Sequence, residues 1–592
     1  MMKRIETACV ALMLLASMEV KSQVYKIPVL ENDEPMATGQ FTPDWESLRT
    51  YEVPEWFRDA KFGIWAHWGP QCVEGSGDWM AREMYMEGTA KYNYHRKHYG
   101  HPSEVGFKDI LPLFKAENWH PEELVRFYKE ECGAQYFFAL GNHHDNFDLW
   151  DSKYQEWNAQ DIGPHKDILD GWAKAAKKAG LPFGISFHAD HAWTWYEPSR
   201  RFDLKGEKRG VKYDGWLTKE DGYQPNADGT EKWWKGLDPQ KLYRQDHDFS
   251  DRTWDNGAIH SQWGWQNGAA QPTQEFVTNF YNRTLDAINR YNPDLLYFDV
   301  TVLPFYPISD AGMKITAHMY NHSASLHKGK NQAVVFGKIL EEDMKDALVW
   351  DVERGAPNMI MERPWQCCNC LGDWHYNQAV YERNGYKSAA TVAKLLIDIV
   401  SKNGNMLLSV PLRADGTPDE KELAIMREFG AWMKVNSEGI VKTRPWKIFG
   451  EGPIANADIK INAQGFNDGE YTKAGAEEIR FTQTEKYLYV AALAWPENGT
   501  VSVKALANAS PLYTDAIKSV ELLGYGKVNF QRTDEALIIS LPEKLNNIMP
   551  VMRIKKYLKS ATNSDADPGR NTCQTPWVYG CSGNCTLTTC VG

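Results

Sequence analysis

The 592-residue chain lacks the features that would associate it with nucleic acid or lipid. Its formal net charge is -12, so it has no general attraction to phosphate backbones or anionic lipid surfaces. No apolar run in the chain reaches the roughly 20 residues of a membrane-spanning helix. Internal repeats and long low-complexity tracts are missing as well. With 43% hydrophobic and 24% charged residues, the composition predicts a soluble globular protein without a nucleic-acid partner or a membrane span.

Cysteines are sparse except near the C-terminus. Cys573, Cys581, Cys585 and Cys590 crowd the last twenty residues, where an oxidising compartment would allow two disulfides. None of these four forms a CxxC pair, which argues against zinc there. We predict that residues 561–592 are a small polar linker followed by a cysteine-rich tail.

The first 22 residues have the pattern of a signal peptide. Lys3 and Arg4 precede an apolar run from Cys9 to Met18, and small Ser22 stands at the expected cleavage point. The run is too short to span a membrane. This pattern predicts export, to a secreted or periplasmic location.

Within residues 23–442, short apolar strands alternate with helical segments from residue 56 to about 440, which is typical of parallel β/α architecture. Seven or eight such units favour a closed barrel over an open sheet. Several of the strands end in polar or charged residues, and barrel enzymes place their chemistry at that end. We therefore predict a (β/α)8-like TIM barrel for this region.

Residues 443–560 have a different pattern, in which apolar and polar residues alternate between turn residues. This alternation indicates antiparallel strands and predicts a C-terminal β-sandwich. Two domains also suit the length of the chain, which exceeds what one hydrophobic core usually supports.

Asp299 follows the buried strand pattern of residues 295–298 and is expected at the catalytic end of the barrel. A carboxylate in that position is a nucleophile, a metal ligand or a helix cap.

His143 and His144 follow another predicted strand. Successive side chains of an extended segment point to opposite faces, so a paired histidine metal site is not expected. Separate hydrogen bonds to ligand hydroxyls suit these residues, because a neutral imidazole both donates and accepts. Purely structural histidines are the alternative.

His67 stands at a third strand end, and Asp78 is followed by Trp79. A carboxylate beside an aromatic ring is a common arrangement in sugar sites. Packing of Trp79 at the barrel rim is the alternative.

Several ordered motifs resemble glycoside hydrolase family 29, the α-L-fucosidases. They are AKFGIWAHWG (60–69), Asp78-Trp79, GAQYFFALGNHHDNF (133–147), PDLLYFD (293–299), LIDIVSKNGNMLLSVPL (396–412) and KTRPW (442–446). The resemblance covers nearly the whole chain to about residue 560. It implies a TIM barrel followed by a β-sandwich, with no metal and no cofactor.

The resemblance also implies an activity and a set of site residues. The activity is exo-acting, retaining release of terminal α-L-fucose, or of a related sugar such as α-L-galactose, from a glycan or polysaccharide. Asp299 would be the nucleophile. The residues implied to contact the sugar are His67, Asp78, Trp79, His143, His144 and Arg354.

The chain departs from the family pattern at Gln366, which occupies the position of the expected general acid/base. An amide is a poor proton donor for a leaving oxygen, so Glu353 and Glu362 are the alternative candidates. A strand end that is Tyr-Tyr-Ser in the family reads Ser186-Phe187-His188 here. These changes indicate a divergent branch.

Two rival interpretations remain open. Gln366 favours a carbohydrate-binding pseudoenzyme, whereas the retained Asp299 argues against it. The second rival interpretation is a metal-dependent hydrolase that uses the histidines. Within the CCNC motif, Cys367 and Cys368 are either a vicinal disulfide or free buried thiols, and the sequence specifies no oligomeric state.

Overall fold

The computed structural model describes residues 25–556, except for 31, 257–263, 267 and 458–465. The predicted signal peptide (1–22) and the predicted linker and cysteine-rich tail (561–592) lie outside the described residues. Among the described residues, no helix has both the length and the apolar character needed to cross a membrane.

Eight parallel strands form a closed barrel, which confirms the predicted TIM-barrel architecture. They are β1 Phe62–Ala66, β2 Tyr136–Asn142, β3 Phe183–Phe187, β4 Leu295–Phe298, β5 Val334–Gly337, β6 Val349–Glu353, β7 Trp365–Cys370 and β8 Gly404–Ser409. Each strand pairs with its successor, and β8 pairs with β1 to close the barrel. Almost every strand residue is buried, as expected for parallel strands that are covered on both faces.

The strand β7 was not predicted, although its sequence was singled out. It reads Trp-Gln-Cys-Cys-Asn-Cys and contains no β-branched residue, so it lacks the composition typical of strands. All six residues are nevertheless buried between β6 and β8. Cys367 and Cys368 are free thiols, so of the two alternatives the vicinal disulfide was wrong.

The longer helices begin and end at residues suited to those positions. In the helix Ile168–Ala179, the Asp167 side chain accepts from the backbone N–H of Asp170, and Gly180 ends the helix in the left-handed region. The α-helices are α1 Trp45–Leu48, α2 Glu55–Ala60, α3 Met80–Glu83, α4 Ala90–His98, α5 Phe107–Ile110, α6 Pro121–Arg126, α7 Ile168–Ala179, α8 Ala192–Trp195, α9 Pro239–Tyr243, α10 Gln274–Tyr291, α11 Ala311–Leu326, α12 Gln378–Glu382, α13 Ala389–Ser401 and α14 Glu420–Asn436.

The C-terminal region contains two antiparallel sheets around their own apolar core, as predicted. Its strands are β9 Arg444–Glu451, β10 Ile479–Gln483, β11 Tyr487–Ala492, β12 Thr500–Val503, β13 Val520–Leu522, β14 Gly526–Val528, β15 Phe530–Arg532, β16 Leu537–Ser540 and β17 Val551–Lys555. Six of them form a sheet in the order β14-β13-β17-β11-β10-β9, and β12-β16-β15 form the other. Phe481, Leu488 and Leu537 are among the fully buried residues of this core.

A buried ionic cluster joins the sandwich to the barrel. Asp398 of α13 accepts from Lys402 at 2.7 Å and is paired with Arg480 of β10. Arg480 also contacts Glu478 at 3.0 Å. Trp432 of α14 donates from its indole to the backbone oxygen of Met549 at 3.0 Å. The six-stranded sheet is therefore fixed to the outer helices of the barrel.

Candidate active site

A cavity of about 500 Å³ opens where the barrel strands end, and its volume is typical of small-molecule sites. Most of the polar residues on its wall directly follow or end strands β1 to β6, because the carboxyl ends of parallel strands meet at one rim. The lining residues are Trp65, His67, Asp78, Trp79, His143, His188, Gly264, Tyr297, Asp299, Val300, Thr301, Lys338, Ile339, Glu353, Trp374 and Phe466.

Asp299 directly follows β4 and presents its carboxylate to this cavity. His144 Nε2 lies 3.1 Å from its Oδ2, and His188 Nδ1 lies 3.6 Å away. Burial by itself raises the pKa of Asp299. The Lys338 ammonium and the contacts with the two histidines outweigh burial and hold the pKa well below its usual range. Asp299 is therefore an ionised carboxylate.

Lys338 directly follows β5 and joins Asp299 to a second carboxylate. Its ammonium forms salt bridges with Asp299 and with Oε2 of Glu353, the latter at 2.9 Å. The Lys338 side chain is only 4% exposed. Burial opposes its charge, but the two carboxylates raise its pKa well above the ordinary value. One buried cation thus lies between two acidic groups on the cavity wall.

Of the three candidates for the acid/base, only Glu353 lines the cavity. Gln366 is fully buried inside the barrel, where its amide nitrogen donates to Asp351 Oδ1 at 2.9 Å and its oxygen accepts from Tyr136 at 3.1 Å. Tyr136 begins β2, so this layer lies toward the end of the barrel opposite the cavity. Glu362 is exposed and precedes β7, at that same opposite end.

Buried imidazoles form one side of the cavity. Burial and the neighbouring histidines hold the pKa of His67 and His143 well below the ordinary value, and burial lowers the pKa of His188 to about 4. These rings are neutral near pH 7, so they can both donate to and accept from hydroxyl groups. His375, in the loop after β7, contacts Asp78 Oδ1 through Nδ1 at 2.7 Å.

Aromatic rings form the other walls. Trp65 packs against Tyr297 and Trp374, with ring centroids 4.9 Å and 5.9 Å apart. Trp79 precedes α3 in a left-handed conformation, and its half-buried ring faces the cavity. Trp79 thus lies on the cavity wall, and its role as an aromatic platform for a sugar stays a prediction.

Arg354 does not line the cavity but lies directly behind its wall. Its Nε is 3.3 Å from Asp468 Oδ2, and its guanidinium lies 5.6 Å from the ring centroid of Phe466. The backbone N–H groups of Phe466 and Asp468 donate to the carbonyl oxygens of Glu353 and Arg354, at 3.3 Å and 3.2 Å. The connection between β9 and β10 therefore closes the cavity beside Glu353.

The structure brings together Asp299, Glu353 and five of the six predicted sugar contacts. Four of those five line the cavity directly, and His144 lies behind Asp299 and contacts it. Sequence reasoning missed Lys338, His188 and His375 as site residues. The rule that marked Asp299, a polar residue directly after a buried strand, also marks Lys338 and His188. His375 has no such local signal, because it follows the strand that was not predicted.

Two family models match the chain in succession. The model described as "Alpha-L-fucosidase" matches residues 29–438, and the model described as "Alpha-L-fucosidase C-terminal domain" matches residues 473–555. The chain belongs to the alpha-L-fucosidase family, and it is a glycoside hydrolase of that family.

Known relatives are similar along most of their length. Tissue alpha-L-fucosidase of Rattus norvegicus is 24% identical over 531 residues, which are 87% of this chain and 92% of the relative. Plasma alpha-L-fucosidase of Homo sapiens is 23% identical and covers 86% of this chain and 90% of its own length. Among solved structures, the Thermotoga maritima alpha-fucosidase in complex with fucose has a TM-score of 0.59 at 23% identity, covering 87% of this chain and all of its own.

Proposed function

We propose that this protein releases a terminal α-L-fucosyl residue, or a related residue such as α-L-galactosyl, from a glycan or polysaccharide with retention of anomeric configuration. The observation that carries the proposal is the pair Asp299 and Glu353, held by one buried ammonium group on the wall of a sugar-sized cavity. The names of the relatives, alpha-L-fucosidases, support the choice of sugar.

The spacing of the two carboxylates supports retention. Retaining glycosidases hold their two carboxyl groups about 5–5.5 Å apart, whereas inverting enzymes leave about 6.5–9.5 Å for a water molecule. Asp299 and Glu353 both form salt bridges with the same nitrogen of Lys338. A shared contact with one nitrogen limits how far apart the two carboxyl groups can lie, and it favours the shorter class.

In the proposed reaction, Asp299 attacks the anomeric carbon while Glu353, which must be protonated at this stage, gives its proton to the departing glycosidic oxygen. A covalent glycosyl-enzyme ester forms on Asp299, and the aglycone leaves as an alcohol. Glu353 then takes a proton from a water molecule that attacks the same carbon, which releases the sugar and restores both groups. Lys338 keeps Asp299 ionised, and therefore nucleophilic, before the sugar enters.

The cavity suits a single terminal sugar. Neutral histidines offer donors and acceptors for ring hydroxyls, and Trp65, Trp79 and Trp374 offer aromatic faces for the C–H surfaces of the ring. The wall formed by Phe466 ends the cavity on the side of Glu353. These features support exo-action.

The rival proposal is a binding protein without catalysis, which Gln366 favoured at the level of sequence. The position of Gln366 away from the cavity removes that support, because Glu353 is available in its place. Asp299 and Glu353 together have no evident use in a site that only binds sugar.

The first test uses Asp299→Gly and wild-type protein on an aryl α-L-fucoside and an aryl α-L-galactoside. We expect wild-type cleavage of the preferred substrate and a loss of at least about 10³-fold in kcat for the variant. A 2-deoxy-2-fluoro-fucosyl fluoride should label the Asp299 peptide, as read by mass spectrometry. A variant that cleaves at the wild-type rate, or a label on another carboxylate, would refute the assignment.

We also propose that the protein acts outside the cytoplasm, on the basis of the N-terminal sequence pattern. The measurement is the intact mass of the protein recovered from its native host. Loss of about the first 22 residues supports export, and retention of Met1–Ser22 contradicts it.

A further inference from the structure

Three histidines and one aspartate form a compact cluster on the side of the cavity where the buried imidazoles lie. His67, Asp78, His143 and His375 each offer one ligand atom, and these atoms all lie within 4.8 Å of one another. The three rings have centroids 4.6–5.1 Å apart, and their planes meet at 71–87°. Three rings arranged around a common volume are suited to the coordination of one ion.

Several ring nitrogens of this cluster have no hydrogen-bond partner. Both ring nitrogens of His67 and Nε2 of His375 are buried without a hydrogen bond, and the two residues are 2% and 0% exposed. Buried polar atoms in proteins are almost always paired with protein, water or a ligand. A metal ion in the centre of the cluster would satisfy one nitrogen of each of these rings.

The donor types select the class of ion. Imidazole nitrogens with one carboxylate oxygen suit zinc and its neighbours in the first transition series, whereas calcium and magnesium prefer oxygen ligands. The remaining ring nitrogen of His143, Nδ1, lies 2.7 Å from the side-chain amide of Gln71. This contact holds the orientation of the His143 ring beside the cluster.

We propose that His67, His143, His375 and Asp78 bind one divalent transition-metal ion of the zinc class. Three of these residues are also proposed to contact the sugar, so the ion and the sugar exclude each other. That second statement rests on the proposed function, and it makes the ion a reversible inhibitor of the glycosidase. Coordination of the ion by the four side chains does not depend on it.

The direct test is titration of the full chain with Co²⁺, whose visible spectrum distinguishes nitrogen and oxygen ligands from thiolates. We expect one site per chain without thiolate charge-transfer bands. His375→Ala and Asp78→Asn should each weaken it by at least about 10-fold, because each removes a ligand. His120→Ala, an exposed histidine, is the matched control and should bind as wild type. Melting temperatures confirm that each variant is folded.

Three results would overturn the metal site. They are no Co²⁺ binding at about 100 µM, a spectrum with thiolate bands only, and unchanged affinity in both His375→Ala and Asp78→Asn. Thiolate bands would place the ion on cysteines, either those of the tail or the free thiols of the barrel. Any of these results would mean that the cluster does not bind a metal ion and that its imidazoles are available only for hydrogen bonds to hydroxyl groups.

Competition separates this proposal from the proposed function. L-fucose should raise the apparent Kd of Co²⁺ by a factor of one plus the ratio of the L-fucose concentration to its own Kd. If Co²⁺ binding is lost in His375→Ala but is insensitive to L-fucose, the metal site holds and the placement of the sugar fails. If L-fucose binds while Co²⁺ does not, the metal site fails and the proposed function holds.

Discussion

The ammonium nitrogen of Lys338 lies 2.9 Å from Oε2 of Glu353, and the same nitrogen forms a salt bridge with the carboxylate of Asp299. A buried lysine between two acids is stable because each acid compensates for the desolvation of its charge. The charge of this one side chain therefore affects both carboxylates proposed to act in the reaction.

Replacement of Glu353 should separate substrates by their leaving groups. Glu353→Gln removes the proton donor, which typically costs about 10²–10⁴-fold in rate. We expect a loss of that size for alkyl α-L-fucosides and a small effect on the first step for activated aryl fucosides. Steady-state and burst kinetics measure the two effects. Glu362→Gln is the matched control and should keep wild-type activity. An equal loss on both substrate types would contradict the role of Glu353.

Replacement of Lys338 should change the pH profile. The ammonium holds the pKa of Asp299 down, so Lys338→Met raises that pKa and leaves less of the ionised nucleophile at acid pH. We expect the acid limb of kcat/KM, which reports the free enzyme, to move to higher pH. Lys338→Arg keeps the charge and should leave the limb closer to its wild-type position. An unmoved limb in Lys338→Met would show that the lysine has no electrostatic effect on Asp299.

Conversion of Gln366 to glutamate should lower stability and add no activity. The amide of Gln366 donates to Asp351, and burial raises the pKa of Asp351 to about 6. In Gln366→Glu this donor is lost, and a second buried carboxyl group faces Asp351, at a cost of about 1–3 kcal/mol. The loss should grow as the pH rises above about 6, since deprotonation then places two like charges together. Thermal melting at several pH values measures it. A gain in fucosidase activity would instead support Gln366 as the acid/base position.

Disruption of the barrel-to-sandwich ionic cluster should destabilise the protein strongly. Arg480→Met leaves the buried carboxylate of Asp398 with one cationic partner fewer, and breaking a buried pair typically costs about 3–5 kcal/mol. Arg553→Met, which removes a partly exposed pair with Glu438 and Glu521, is the control, with an expected cost of about 0–1 kcal/mol. Urea unfolding measures both variants. Equal costs would contradict the structural role of the cluster.

Much of the fold could be predicted from the sequence because seven of the eight barrel strands are apolar runs between helical segments. The strand β7 could not, since Gln366, Asn369 and three cysteines resemble a metal motif more than a buried strand. Burial there depends on the neighbours β6 and β8, which local composition does not reveal.

The candidate site was predictable to the extent that polar residues follow apolar strands. Asp299, His67 and Glu353 fit this rule, and Lys338 fits it as well, although only the structure shows which carboxylates it joins. Whether Gln366 reaches the cavity depends on which end of the barrel its side chain occupies. A motif match gives the place of Gln366 in the chain but not the position of its side chain along the barrel.

The two backbone hydrogen bonds from Phe466 and Asp468 to Glu353 and Arg354 have a consequence for truncated forms of the protein. One wall of the cavity comes from a segment inserted between β9 and β10, so the barrel alone would expose Glu353 to bulk water on that side. A chain that ends before Arg444 should therefore tolerate bulkier groups at the scissile bond while transferring protons less efficiently. Phe466, which lies between β9 and β10, thus contributes to the wall of the cavity, so the C-terminal region does more than support the barrel.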